Sequence, residues 1–335
     1  MKLTPGKLSG LKAVSNQHGV IAAAAMDQRG SLKKSLAKER GGDVSSHDME
    51  EFKSLVTEVL TKNASAILLD PEWGLPAAKR RQKNAGLLLA YEKTGYDANT
   101  PGRLPDLLDH WSVQRLKEAG ADCIKILQYY TMTDPKDVND RKHAWVERIG
   151  DECRANDIPF FLECVGYEEG ADEKGAEFAK KKPQIVIDYM REFSKDKYGV
   201  DVLKVEVPIN MKFVEGSGVY AGTTAYTKKE AANYFKEAAQ ATNKPFIYLS
   251  AGVSNAEFTE TLRFVGETGV KYNGVLCGRA TWADGVKVFA KQGADAFRKW
   301  LETEGTKNIA AVNDALKSAS SWYEIYGVHE AVGAR

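Results

Sequence analysis

Short, nearly continuous apolar runs recur along the chain, and amphipathic segments fill the spaces between them. The runs occupy residues 19–28 (GVIAAAAMDQ), 64–70 (ASAILLD), 86–91 (GLLLAY), 121–130 (ADCIKILQYY), 158–167 (IPFFLECVGY), 200–208 (VDVLKVEVP), 244–252 (KPFIYLSAG) and 272–280 (YNGVLCGRA). A strand with one wetted face alternates apolar and polar positions, whereas a parallel strand covered on both faces is apolar almost throughout. The eight runs are therefore predicted to be buried parallel strands. The intervening segments carry helix punctuation. Gly120 stands just past a helix end, Pro135 at a first helical position, and Thr227-x-x-Glu230 and Ser254-x-x-Glu257 form capping boxes.

A strand followed by a helix, repeated eight times, predicts right-handed crossovers and a parallel sheet. In 335 residues this fits a single-domain α/β fold, a closed (β/α)8 TIM barrel, better than an open doubly wound sheet. No G-x-G-x-x-G or Walker A motif supports a nucleotide fold. Residues 293–335 follow the eighth unit and are expected to be a helical extension packed on the outside. Residues 168–182 read as a charged, solvated loop. Residues 209–226 read as a long glycine-bearing loop after the sixth strand, on the side where barrels keep their active-site loops. No internal repeat or domain boundary is evident.

Composition narrows the partners. The formal net charge is +1 and no basic run is interleaved with aromatics, so neither nucleic acid nor an acidic membrane surface is an expected partner. No apolar run approaches the length of a membrane span, and the N-terminus lacks the apolar core of a secretory signal, so a cytoplasmic location is expected. None of the four cysteines forms a C-x-x-C pair, which points to buried, reduced thiols. None of the five histidines, His18, His47, His110, His143 and His329, ends a predicted strand. Metal-dependent carbanion chemistry is accordingly disfavoured, and no metal or other cofactor is expected. A homo-oligomer built from surface helices is an open possibility.

Charge within the strands carries the chemistry. Asp27 and Asp70 end the first two runs, Lys125 and Glu163 lie inside the fourth and fifth, and Lys204 and Glu206 lie inside the sixth. Buried charges are costly unless they are paired or used, and charges from several strands meet only at a barrel mouth. Free lysine has a pKa of about 10.4 and is a poor nucleophile at neutral pH. Burial and a second cation such as Lys125 would favour the neutral amine of Lys204. That amine attacks a ketone to give an iminium ion, an electron sink for breaking an adjacent C–C bond. Glu163 is placed to move the protons, and Asp27 to accept one from a substrate hydroxyl or to orient it. Barrels often bind phosphate in the loops after strands seven and eight, where Ser250, Ala251, Gly252, Gly278 and Arg279 stand. Gln28 and Arg29 at the mouth of the first strand add a second anion grip. Glu206 is expected to orient Lys204 or to sit in a structural pair, and Asp70 to support the site.

With these residues in hand, the chain resembles the bacterial tagatose 1,6-bisphosphate aldolase family, the class I, Schiff-base type. The resemblance runs through residues 15–305 and is carried by AMDQRG, ASAILLDPEWGLPA, GLLLAYEKTGYDA, RLPDLL, GADCIKILQYY, IPFFLEC, GVDVLKVEVPIN, IYLSAGVS and GVLCGRATWA. It implies a (β/α)8 barrel without metal, and reversible cleavage of a ketohexose 1,6-bisphosphate to dihydroxyacetone phosphate and glyceraldehyde 3-phosphate. Carried over by motif, it assigns the Schiff base to Lys204, the acid/base to Glu163, support to Lys125 and substrate contact to Asp27. Tagatose and fructose bisphosphates differ only at C4, so the preferred sugar stays open. The alternatives are a sulfofructose 1-phosphate aldolase, a Schiff-base transaldolase, or a sugar-phosphate binder without catalysis, which would not need a second buried lysine.

Overall fold

In a computed structural model, residues 3–93 and 100–328 are described. Part of the YEKTGYDA block, His329 and the last residues of the extension lie outside them. The strands are β1 (Ile21–Ala25), β2 (Ala66–Leu69), β3 (Gly86–Ala90), β4 (Cys123–Tyr130), β5 (Phe160–Gly166), β6 (Val202–Val205), β7 (Phe246–Leu249) and β8 (Gly274–Cys277). Each falls inside a predicted run. They close into a barrel in chain order, and every neighbouring pair is parallel. The runs outlast most of the strands at their C-terminal ends. Asp27, Asp70, Glu206 and Ser250 thus leave the ladder and belong to the rim.

Alternation along each strand divides the apolar residues into two shells. Ala23, Leu68, Leu88, Cys123, Phe161, Val202, Ile247 and Leu276 point inward and fill the lower barrel. Their neighbours Ala24, Ile67, Leu87, Ile124, Phe160 and Leu203 point outward and pack beneath the helices. This is why both faces of the strands read as apolar. All four cysteines are free and buried in these shells.

Capping boxes form at Thr227 and Ser254, and a third at Ser45, whose side chain accepts from the Asp48 N–H. Pro135 caps the helix Lys136–Ala155 from outside its first turn rather than occupying it. The segment read as a solvated loop, 168–182, is corrected in its second half. The helix Ala176–Phe193 begins there, with Phe178 and Ala179 buried.

The C-terminal extension also differs from an outer layer. The helix Thr306–Ala315 packs on the helices Ser46–Leu60 and Asn255–Thr268, as expected. The chain then crosses the bottom of the barrel. Trp322 is 0% exposed and joins the interior cluster with Leu11 and Val14. Its Nε1 donates to Ser15 Oγ at 2.7 Å, and its backbone N–H donates to the Gly19 carbonyl ahead of β1. Tyr326 donates its hydroxyl to the Asp201 carbonyl at 2.6 Å. The extension is a plug for the end opposite the active-site loops. Among the described residues no helix is long and apolar enough to cross a membrane.

Candidate active site

The inward alternation that fills the lower barrel with apolar side chains continues upward with charge. Two residues past Ala25, Ala90, Cys123, Phe161 and Val202 stand Asp27, Glu92, Lys125, Glu163 and Lys204. All five line a cavity of about 1000 Å³ at the C-terminal end of the barrel.

Lys125, 0% exposed, is the hub. Its Nζ lies 2.9 Å from Asp27 Oδ2, 2.7 Å from Glu92 Oε1 and 2.8 Å from Glu163 Oε2. Lys204 Nζ donates to that same Glu163 oxygen at 2.8 Å. β5 and β6 are in register at Glu163 and Lys204, so the carboxylate and the amine are direct cross-strand neighbours. Burial works against the Lys125 ammonium, but Asp27, Glu163 and Glu92 outweigh it and hold the group well above the usual lysine range. Burial likewise works against the Asp27 and Glu163 carboxylates. Lys125 and then Lys204 reverse the balance and keep both below the ordinary carboxylate range. Glu92 goes the other way, raised by burial beyond what Lys125 and Arg29 offset.

Three of the predicted residues are engaged by partners of their own. Asp70 does not face the cavity. It pairs with Lys53 at 2.5 Å and accepts the backbone N–H groups of Glu72 and Trp73. Lys53, from the helix Ser46–Leu60, also donates to the carbonyls of Met26 and Gln28 at 2.8 Å each. The pair thereby tethers the segment that presents Asp27. Arg29 is only 2% exposed, and its guanidinium is engaged by Glu72 at 2.9 Å and by the Glu92 carbonyl at 2.6 Å. It lines the cavity and braces the rim after β1 against the segments after β2 and β3. Glu206 does not reach Lys204. It accepts the Gly166 N–H at 2.7 Å and pairs with Lys182 at 3.1 Å, so of its two expected roles it takes the structural one.

The other predicted residues lie together at the opposite rim. Ser250, Ala251, Gly252 and Arg279 line the cavity with Gln28. Ala251 and Gly252 have φ of 49° and 78°, a left-handed turn directly after β7. A Cβ on Gly252 would stand 2.6 Å from the Arg279 Cζ, so the guanidinium lies against the bare backbone of that turn. A Cβ on Gly278 would stand 3.2 Å from the Ala25 carbonyl and 3.3 Å from Gln28 Nε2. Glycine at both places lets a side-chain cation, a side-chain amide and main chain converge, an arrangement suited to an oxyanion.

Glu92, Lys53 and Lys182 were not anticipated. Glu92 follows the β3 alternation by one step past its predicted run. Lys53 occupies the apolar face of its helix between Met49 and Val56, and Lys182 stands between Phe178 and Val186 on the buried face of its own. A lysine on an apolar helix face was the available signal for the last two. Among the described residues, no histidine lines the cavity and no group of three or more His, Cys, Asp or Glu side chains could hold a metal ion. The three carboxylates are arranged around an ammonium instead.

A family model described as the DeoC/LacD family aldolase matches residues 21–284. Tagatose 1,6-diphosphate aldolase 2 of Enterococcus faecalis is 56% identical, over 98% of this chain and 99% of its own. A tagatose 1,6-diphosphate aldolase of Listeria monocytogenes is 52% identical, over 99% of this chain and 98% of its own. The likeness thus extends past residue 305 into the plug. Among solved structures, a fructose-bisphosphate aldolase from Plasmodium falciparum superposes with a TM-score of 0.65 over 100% of this chain and 98% of its own, at 15% identity, and so shares the fold. Identity above one half across nearly the full length decides the family: this chain belongs to the DeoC/LacD aldolases.

Proposed function

We propose that the chain reversibly cleaves a ketohexose 1,6-bisphosphate, tagatose 1,6-bisphosphate foremost and its C4 epimer fructose 1,6-bisphosphate beside it, through a Schiff base on Lys204. The observation that carries this reading is the shared oxygen. Glu163 Oε2 receives the Lys204 amine at 2.8 Å and faces the Lys125 ammonium at 2.8 Å, inside a cavity large enough for a sugar bisphosphate. The names of the Enterococcus faecalis and Listeria monocytogenes relatives support the substrate class.

The residues divide the work as follows. The Lys204 amine attacks the C2 ketone. Glu163 carries one proton from the attacking nitrogen to the C2 oxygen to form the carbinolamine, and then delivers a second proton, taken up from solvent, so that the C2 hydroxyl leaves as water and the iminium forms. Asp27, ionised and held by Lys125, accepts the proton of the C4 hydroxyl. The C3–C4 bond then breaks, its electrons pass to the iminium as an enamine, and the aldehyde half departs. Protonation at C3 and hydrolysis of the iminium release dihydroxyacetone phosphate. Lys125 remains an ammonium throughout and steadies Asp27 and Glu163 while their charges change. Arg279, the turn at 250–252 and Gln28 bind a substrate phosphate. No metal is needed in this scheme.

The test is turnover in EDTA. Purified protein is given each bisphosphate epimer, and free dihydroxyacetone phosphate and glyceraldehyde 3-phosphate are measured. Equimolar release of both supports the reading. Transfer of the three-carbon unit only when an acceptor aldehyde is added would replace it with a transaldolase. Absence of cleavage of either epimer would remove the bisphosphate substrate.

A further inference from the structure

We propose that Glu92 is a positioning residue for the aldolase reaction, fixing the Lys125 ammonium so that it faces Asp27 and Glu163 together. An ammonium has three N–H donors, and three carboxylate oxygens lie 2.7–2.9 Å from Lys125 Nζ. Two of them belong to groups that handle protons in the proposed mechanism. The third, Glu92, has the shortest of the three distances and is left without a proton to move.

The surroundings of Glu92 suit that task. It continues β3 beyond Ala90 and is paired in an antiparallel bridge with Leu107. On either side, Lys93 donates its N–H to the Asp106 carbonyl at 2.9 Å and Leu108 donates to the Tyr91 carbonyl at 3.1 Å. The Glu92 carbonyl itself accepts from Arg29, which Glu72 holds in turn. The main chain at residue 92 is thus secured from two directions, and a site is only as well placed as the shell behind it. Glu92 Oε2 is buried without a hydrogen-bond partner among the described residues, and besides Lys125 the carboxylate has Arg29 only at 3.9 Å from Oε1. Burial raises its pKa, so its charge costs the folded state free energy. Retaining a carboxylate at a stability cost is the pattern of a residue kept for the reaction.

The proposal rests on the Schiff-base reading, and the experiment separates the two. Wild type, Glu92→Gln and Glu92→Ala are assayed for kcat and KM on tagatose 1,6-bisphosphate. Active sites are counted by borohydride trapping with dihydroxyacetone phosphate, and thermal midpoints are measured at pH 7. Glutamine keeps an acceptor for Lys125 and alanine does not. The expected kcat per trapped site falls about tenfold for Glu92→Gln and about 100-fold for Glu92→Ala, the range of about 10–100-fold that follows loss of an outer partner orienting an active group. KM stays within about threefold, and the thermal midpoint of Glu92→Gln is no lower than wild type. The glutamine variant suffices if the alanine variant does not fold. A loss that vanishes on normalisation to trapped sites, or kcat equal to wild type, overturns the proposal. Failure of the wild type itself to give an adduct overturns the Schiff-base reading instead.

Discussion

At the scale of residues, one carboxylate oxygen does most to define the site. Glu163 Oε2 stands 2.8 Å from Lys204 and 2.8 Å from Lys125, and the two lysines hold it ionised against its own burial. A carboxylate that stays ionised below the ordinary range is available as a base throughout neutral pH. Glu163→Gln removes that base while leaving the volume unchanged. The expected result is a fall in kcat of roughly 10²–10⁴-fold, with dihydroxyacetone phosphate still binding. Stopped-flow single-turnover rates check it, and a rate within tenfold of wild type would move the proton-transfer role elsewhere. Lys125, Glu163, Lys204 and Asp27 were legible in the sequence because each charge stands within or near the end of an apolar run at an inward position. The partners of Arg29, Asp70 and Glu206 were not. Their charges also sit near strand ends, but their partners Glu72, Lys53 and Lys182 come from other elements, and only the folded arrangement brings them together.

At the scale of elements, the positions of the charged side chains in the cavity depend on what holds the ends of the strands. β1 ends at Ala25, so Asp27 and Gln28 stand on irregular backbone. That backbone is fixed by Lys53, whose buried ammonium serves the Met26 and Gln28 carbonyls and Asp70 at once. Removing one member of a buried ion pair leaves the other uncompensated and costs about 3–5 kcal/mol. Lys53→Met is therefore expected to lower stability by about that amount, read by urea unfolding, and to lower kcat/KM because Asp27 and Gln28 lose their tether. Unchanged stability together with unchanged kinetics would show that the segment is held by other contacts. The strands themselves were legible because apolar runs record burial on both faces, but their C-terminal ends were not, because most runs continue past the ladder into the rim. Helix starts were legible where a capping box marks them, as at Thr227 and Ser254. The start of the helix Ala176–Phe193 was hidden, because Gly175 at its N-cap makes no side-chain hydrogen bond and its first turns are rich in lysine.

At the scale of the whole molecule, the barrel is apolar below, charged above and closed at the bottom. The closure comes from the two ends of the described chain, the helix Pro5–Ala13 and the segment around Trp322. The sequence announced an extension but not its location, since a few aromatic residues between short helices look the same on an outer surface and beneath a barrel. Trp322→Ala is expected to cost about 3–5 kcal/mol, as large-to-small substitutions of buried aromatics do. Its kcat per trapped active site should match wild type, because the residue lies at the end opposite the lysines. Denaturation midpoints and normalised turnover check both halves. A stable variant would place the plug outside the cooperative core, and a stable variant with slowed turnover would mean that the bottom of the barrel communicates with the mouth.

The central claim is that Lys204 forms the covalent bond, and the most direct measurement is to trap it. The protein is incubated with dihydroxyacetone phosphate in EDTA, reduced with borohydride and digested, and the modified peptide is mapped by mass spectrometry. A single reduced adduct on Lys204 is expected, absent from Lys204→Ala, with Lys125 unmodified. An adduct on Lys125, or none on any lysine while the bisphosphate is still cleaved, would contradict it.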